Sequence, residues 1–164
     1  MTNIPMYVHA ITIDPDTNNP IVILKEIDGD RTLPIWIGLL EATAIATEME
    51  KIEFSRPMTH DLLINLLNAV GAEILRVEVS DLKDNTYFAL ITLKHGETEA
   101  KVDARPSDAV AVALRAGAKI FVNEAVIKQV RSFDGSGSLK NAAGKKSWDE
   151  ILNELDPKDF KYKM

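Results

Sequence analysis

Apolar and polar residues alternate from Met6 to Ile13, with Tyr7, His9, Ile11 and Ile13 on one side and Met6, Val8, Ala10 and Thr12 on the other. That period predicts a β-strand. The segment Asp14-Pro15-Asp16-Thr17-Asn18-Asn19-Pro20 is dense in turn formers, and Ile21 to Glu26 follows as a second strand, so the two form a hairpin. Asp28-Gly29-Asp30 makes the next turn, and Thr32 to Ile37 reads as a third strand. Pro34 has no N–H to give a ladder, which places this strand at an edge or a bulge.

After Gly38 the spacing changes. Leu39, Ala42, Ile45, Ala46, Met49 and Ile52 recur at helical intervals and predict about four turns of helix. A second helix starts near Thr59, with Thr59 as N-cap and an apolar face of Leu62, Leu63, Leu66, Leu67 and Val70, and Gly71 suits its left-handed end. Strands are expected over Ala72 to Ser80 and Thr86 to Leu93 around a turn from Asp81 to Asn85, and again from His95-Gly96 to about Asp103. A third helix should follow Pro106 and end at Gly117, then a strand from Lys119 to Val122 and a helix from Glu124 to Val130 capped by Asn123. Residues 134–164 read as a flexible linker and a short helix from Trp148 that docks through Trp148, Ile151, Leu152 and Leu155. The expected fold is α+β: one compact domain over residues 1–133, built of antiparallel hairpins packed with helices, plus the short C-terminal helix.

Composition narrows the chemistry. The chain has 164 residues and no Cys, which removes disulfides, thiolate metal sites and a cysteine nucleophile. Residues 1–118 carry 10 Lys and Arg against 18 Asp and Glu, and residues 119–164 carry 9 against 7, for a net of −6. An acidic body repels a polyanion held only by its overall field, so any nucleic-acid contact must use a local site. No basic leader and no long apolar run is present, and a cytoplasmic protein without a membrane span is expected.

Two polar clusters could carry chemistry. Asp103-Ala104-Arg105-Pro106-Ser107-Asp108 sets two carboxylates, a guanidinium and a hydroxyl at a helix start. Ser107 and Asp108 could cap free N–H groups there. Equally, the carboxylates could hold a divalent metal while Arg105 grips a phosphate. Thr59-His60-Asp61, with Arg56 just upstream, offers the same choice between a cap and a general acid–base imidazole. Glu41 and Glu48, seven residues apart, share one face of their helix. No His-Glu-x-x-His, phosphate-binding Gly-rich loop or nucleophile elbow is present.

Four segments in order, Leu33-Pro34-Ile35-Trp36-Ile37-Gly38 with Glu41-Ala42, Arg56-Pro57-Met58-Thr59-His60-Asp61-Leu62, Leu82-Lys83-Asp84-Asn85-Thr86, and Asp103-Ala104-Arg105-Pro106-Ser107-Asp108-Ala109, resemble the bifunctional nuclease domain family over about residues 6–133. Tyr87-Phe88 stands where Phe-Tyr is commoner in the family, and Ala104 where Ser is common. The resemblance implies nuclease action on DNA and RNA, a compact α+β fold and a tendency to oligomerise. Placed on these motifs, His60, Asp61, Asp103 and Asp108 are the expected catalytic residues, and Arg56, Arg105 and Ser107 the substrate contacts. Asp103, Asp108 and Glu41 are the expected ligands of Mg²⁺ or Mn²⁺. The expected partners are DNA or RNA and further copies of the chain, most simply in a two-fold dimer. The alternative is a non-catalytic binding or regulatory domain in which the same residues are helix caps and interface contacts.

Overall fold

A computed structural model describes residues 2–133, so the expected linker and Trp148 helix lie outside the described residues. Within that span the expected strands and helices all form: β1 (Asn3–Ile13), β2 (Pro20–Glu26), β3 (Thr32–Trp36), α1 (Leu39–Met49), α2 (Thr59–Ala69), β4 (Ala72–Lys83), β5 (Thr86–His95), β6 (Thr98–Ala104), α3 (Pro106–Ala116), β7 (Lys119–Asn123) and α4 (Glu124–Phe133). The architecture is α+β, with seven strands in one sheet in the order β3-β2-β1-β7-β4-β5-β6. The sheet is mixed. β7, the last strand in sequence, lies between β1 and β4, antiparallel to the first and parallel to the second. It thereby joins the N-terminal hairpins to the β4–β6 meander.

The strict alternation expected for β1 does not hold. Val8 pairs with Leu24 and Ala10 with Ile23, so His9 is an extra, bulged residue. A bulge reverses which side chains face inward. Ile4 and Met6 are buried before it and Ile11 after it, with Val8 and Ile13 packed against the same core. One inner face thus runs the length of the strand. The turn expected over Asp81 to Asn85 shrinks to Asp84-Asn85, both with positive φ (49° and 58°), a two-residue connection whose twist suits a hairpin. Pro34 does sit on an edge strand, where its missing N–H leaves no ladder bond unmade.

α3 is the centre of the helical layer. Ala109, Val110, Ala111, Val112 and Ala113 are all essentially inaccessible. Such burial around the whole helix follows from its place, with β4, β5 and β7 beneath it and α1 and α2 packed against it. Small side chains allow that close approach. At the other end of the sheet the chain curls, so that the Tyr87 hydroxyl donates to the Pro34 carbonyl at 3.3 Å.

Two helix predictions need correction. α1 stops at Met49, because Lys51 turns the chain into the left-handed region at φ 53°, and Ile52 falls outside it. α2 buries none of its residues fully. Leu62, Leu63, Leu66 and Val70 are exposed, and only Ile64 and Leu67 pack partly against the core. The apolar stripe read as a core face is a surface.

Candidate functional site

The starts of three helices converge on one polar cluster. α1 contributes Glu41 and α2 His60, each from its first turn. α3 contributes Asp108 from its first turn and Arg105 from its N-cap. The positive end of each helix dipole favours ionised carboxylates at these positions. His60 Nε2 lies 2.9 Å from Asp108 Oδ1. Arg105 donates from Nε to Asp108 Oδ2 at 2.8 Å, from Nη2 to Oδ1 at 3.3 Å, and from Nη1 to Glu41 Oε1 at 2.8 Å. Residues as far apart in sequence as Glu41 and Asp108 thus form one bonded chain across the three helices.

The capping expectations are replaced by these bonds. The N-cap residues are Met58 and Arg105, not Thr59 or Ser107. At α2 the free Met58 N–H donates to Asp61 Oδ2 at 2.9 Å, so the cap comes from inside the first turn. At α3, Pro106 in the first turn removes one N–H that would need a partner. Asp108 turns its carboxylate to Arg105 and His60.

Burial, the largest single influence on the Asp108 carboxyl, pushes its pKa up. The hydrogen bonds from Arg105 and His60, with their charges, outweigh it and hold the group below the ordinary carboxylate value. Hydrogen bonding and charge from Asp108, then from Glu41, raise Arg105 further. Asp108 is therefore ionised near neutrality and can only accept. The His60 Nε2 must carry the hydrogen between them, which leaves Nδ1 as the ring's free acceptor while the imidazole is neutral. Arg105 is 65% exposed, and three of its five N–H groups are engaged, leaving one on each terminal nitrogen for an anion.

Asp61 belongs to a second arrangement. Its Oδ1 accepts from Arg115 Nε at 2.6 Å, and Arg115, buried on α3, also donates from Nη1 to the Ala111 carbonyl at 3.0 Å. Burial pushes the Asp61 carboxyl up, and the Arg115 and Met58 hydrogen bonds, with the nearby charges, bring it down overall. This bridge locks α2 to α3 just beside His60. Arg115 escaped the sequence reading. Its one signal is that it lies seven residues after Asp108, on the same face of α3.

The remaining expected residues stand apart. Asp103 is exposed on β6 and Arg56 is exposed before α2, neither with a side-chain bond to the cluster, while Ser107 is buried in the first turn of α3. Glu48 pairs with Lys51. The metal set of Glu41, Asp103 and Asp108 does not gather: two of the three are held by Arg105, and among the described residues no three His, Asp or Glu side chains converge as ligands. In place of a divalent ion, a guanidinium sits between the carboxylates.

Gly38 also serves this site. It is the N-cap of α1, with an ordinary φ of −77°. A Cβ there would collide with the Glu41 carboxylate, which folds back over it to meet Arg105.

Fold and site define an α+β domain with a His–Asp–Arg–Glu cluster where three helix starts meet. The chain belongs to the bifunctional nuclease domain family, whose model matches residues 22–134. It is similar to an uncharacterized protein of Mycobacterium tuberculosis, at 40% identity over 158 residues, covering 93% of this chain and 94% of that protein. Bifunctional nuclease 1 of Arabidopsis thaliana is 30% identical over 110 residues, covering 65% of this chain and 34% of that protein. Bifunctional nuclease 2 of the same plant is 30% identical over 107 residues, with 63% and 32% covered. The matches to the plant nucleases thus cover about a third of their length. No helix among the described residues is long and apolar enough to cross a membrane.

Proposed function

We propose that the chain is a nuclease that hydrolyses phosphodiester bonds in DNA or RNA at the Glu41–His60–Arg105–Asp108 cluster. The observation that carries this reading is the 2.9 Å contact between His60 Nε2 and Asp108, with Arg105 bonded to the same carboxylate. Phosphodiester hydrolysis needs neutralised phosphoryl oxygens and a group that takes a proton from the attacking water. The two free N–H groups of Arg105 bind the phosphoryl oxygens. Neutral His60 accepts the water proton at Nδ1, the phosphorus–oxygen bond to the leaving sugar breaks, and solvent protonates the departing oxygen. Asp108 is a positioning residue that fixes the imidazole tautomer and steadies the imidazolium, and Glu41 steadies Arg105. No step is routed through Mg²⁺ or Mn²⁺, because the expected ligands do not gather. The family and its plant relatives named bifunctional nucleases support this reading. We further propose that the chain works as a homo-oligomer in the cytoplasm.

A second reading, a non-catalytic binding or regulatory domain, draws on the Asp61–Arg115 and Arg105–Glu41 pairs, which join helices with no need of a ligand. Incubating the purified chain with labelled single- and double-stranded DNA and RNA, with and without divalent ions, separates the two. The nuclease should cut at least one substrate, and Arg105→Ala should abolish cutting while the melting temperature falls little. If nothing is cut and Arg105→Ala only lowers stability, the non-catalytic reading stands.

A further inference from the structure

The α1–loop–α2 segment carries an apolar surface that nothing in the domain covers. Nine of the fourteen exposed large hydrophobic residues among those described lie between residues 39 and 70. On α2, Leu62, Leu66 and Val70 are 48%, 59% and 64% exposed, and Leu39 and Leu40 at the start of α1 are 57% and 80% exposed. With Leu63, these six residues expose roughly 700 Å², more than the largest apolar patch usual on a monomer and close to the ~800 Å² each partner buries in a stable complex.

We infer that this face is the contact between two copies of the chain, with α2 packed against its own copy about a two-fold axis. Leu62, Leu66 and Val70, spaced four apart, form one ridge along the helix, the arrangement that interdigitates with an identical ridge. In a two-fold contact the central residue of such a ridge, Leu66, meets its own equivalent.

Charge favours a second copy over a foreign partner. A chain with a net charge of −6 repels its own kind unless the contact is neutral. α2 supplies such a contact: from Thr59 to Ala69 its one full charge is Asp61, which Arg115 of the same chain neutralises. The sheet edges, where strand pairing between copies was expected, are protected. β3 carries Pro34 at its middle, and β6 carries Glu99, Lys101 and Asp103. This inference deepens the proposal of a homo-oligomer and is independent of the nuclease chemistry.

The absence of cysteine makes the test clean. Helices packed ~8–10 Å apart bring facing Cα atoms within about 4–6 Å, inside disulfide reach. In the full chain, Leu66→Cys should form a covalent dimer on mild oxidation, whereas Lys101→Cys on β6 should not. Light scattering should give a dimer for the wild type at micromolar concentration and a monomer for Leu66→Asp, whose far-ultraviolet spectrum should match the wild type. A monomeric wild type overturns the inference. So does a dimer that survives Leu66→Asp while Leu66→Cys fails to cross-link, which would place the contact elsewhere.

Discussion

Asp108→Asn isolates the charge at the centre of the cluster while keeping the side chain's shape. The carboxylate accepts from His60 Nε2 at 2.9 Å, Arg105 Nε at 2.8 Å and Arg105 Nη2 at 3.3 Å. Hydrogen bonds to an ionised group contribute about 1.5–3 kcal/mol each when shielded. The His60 bond is the shielded one, with His60 at 15% exposure. Arg105 is 65% exposed, so its two bonds contribute closer to ~0–1 kcal/mol together. Asn retains one acceptor oxygen but turns an N–H₂ group toward donors. The net loss should be about 1–2 kcal/mol at pH 7, a fall of ~3–6 °C in Tm for a domain of this size. The sign with pH follows from the direction of the shift. The folded-state pKa of Asp108 lies below its ordinary 3.8, so its contribution is fully present above about pH 4 and disappears as pH falls through the lower value. Urea unfolding followed by circular dichroism at pH 7, 4 and 3 should show the wild type's advantage shrinking toward zero in acid. Equal stability at pH 7, or a gap undiminished at pH 3, would refute the reasoning.

Other outcomes follow from the same contacts. Gly38→Ala should displace the Glu41 carboxylate without straining the backbone, so that a crystal structure of the variant loses the 2.8 Å Arg105–Glu41 contact while stability changes by less than ~1 kcal/mol. Arg115→Ala leaves Asp61 partly buried without its cation and should cost about 2–4 kcal/mol in chemical denaturation, more than any other substitution considered for the site. Asn123→Ala removes the acceptor that caps α4 through the Ala125 N–H at 2.9 Å, which should lower stability by about 1 kcal/mol. Millimolar Mg²⁺ or EDTA should leave Tm unchanged. A metal-dependent rise would show that carboxylates gather in solution as they do not here.

Period and punctuation made the element order legible. Pro34 marked the edge strand, Gly71 and Gly117 the two helix ends, and Asn123 a real cap. The bulge at His9 was hidden because apolar residues fall on both sides of the alternation from Met6 to Ile13, so neither phase looked wrong. The stripe on α2 was visible as apolar, but a period shows only that a face exists and not what it faces; His60, Ile64 and Leu67 turn toward α3 and the core instead. At the site, the motif residues Glu41, His60, Arg105 and Asp108 were named correctly as polar candidates, yet their grouping depends on three helices meeting over α3. Asp103 looked like the natural partner of Asp108 from five residues away. It stays on the edge strand, while Arg105 and Pro106 turn the chain into α3 and carry Asp108 to His60.

The central claim is that His60 moves a proton during phosphodiester hydrolysis. Its most direct test is the single-turnover cleavage rate of one labelled oligonucleotide by the wild type and by His60→Gln, with melting curves of both. General base catalysis contributes roughly 10²–10⁴-fold, so His60→Gln should cut at least about 100-fold more slowly while remaining folded. A wild type that cuts no DNA or RNA, or a folded His60→Gln that cuts at the wild-type rate, would contradict it.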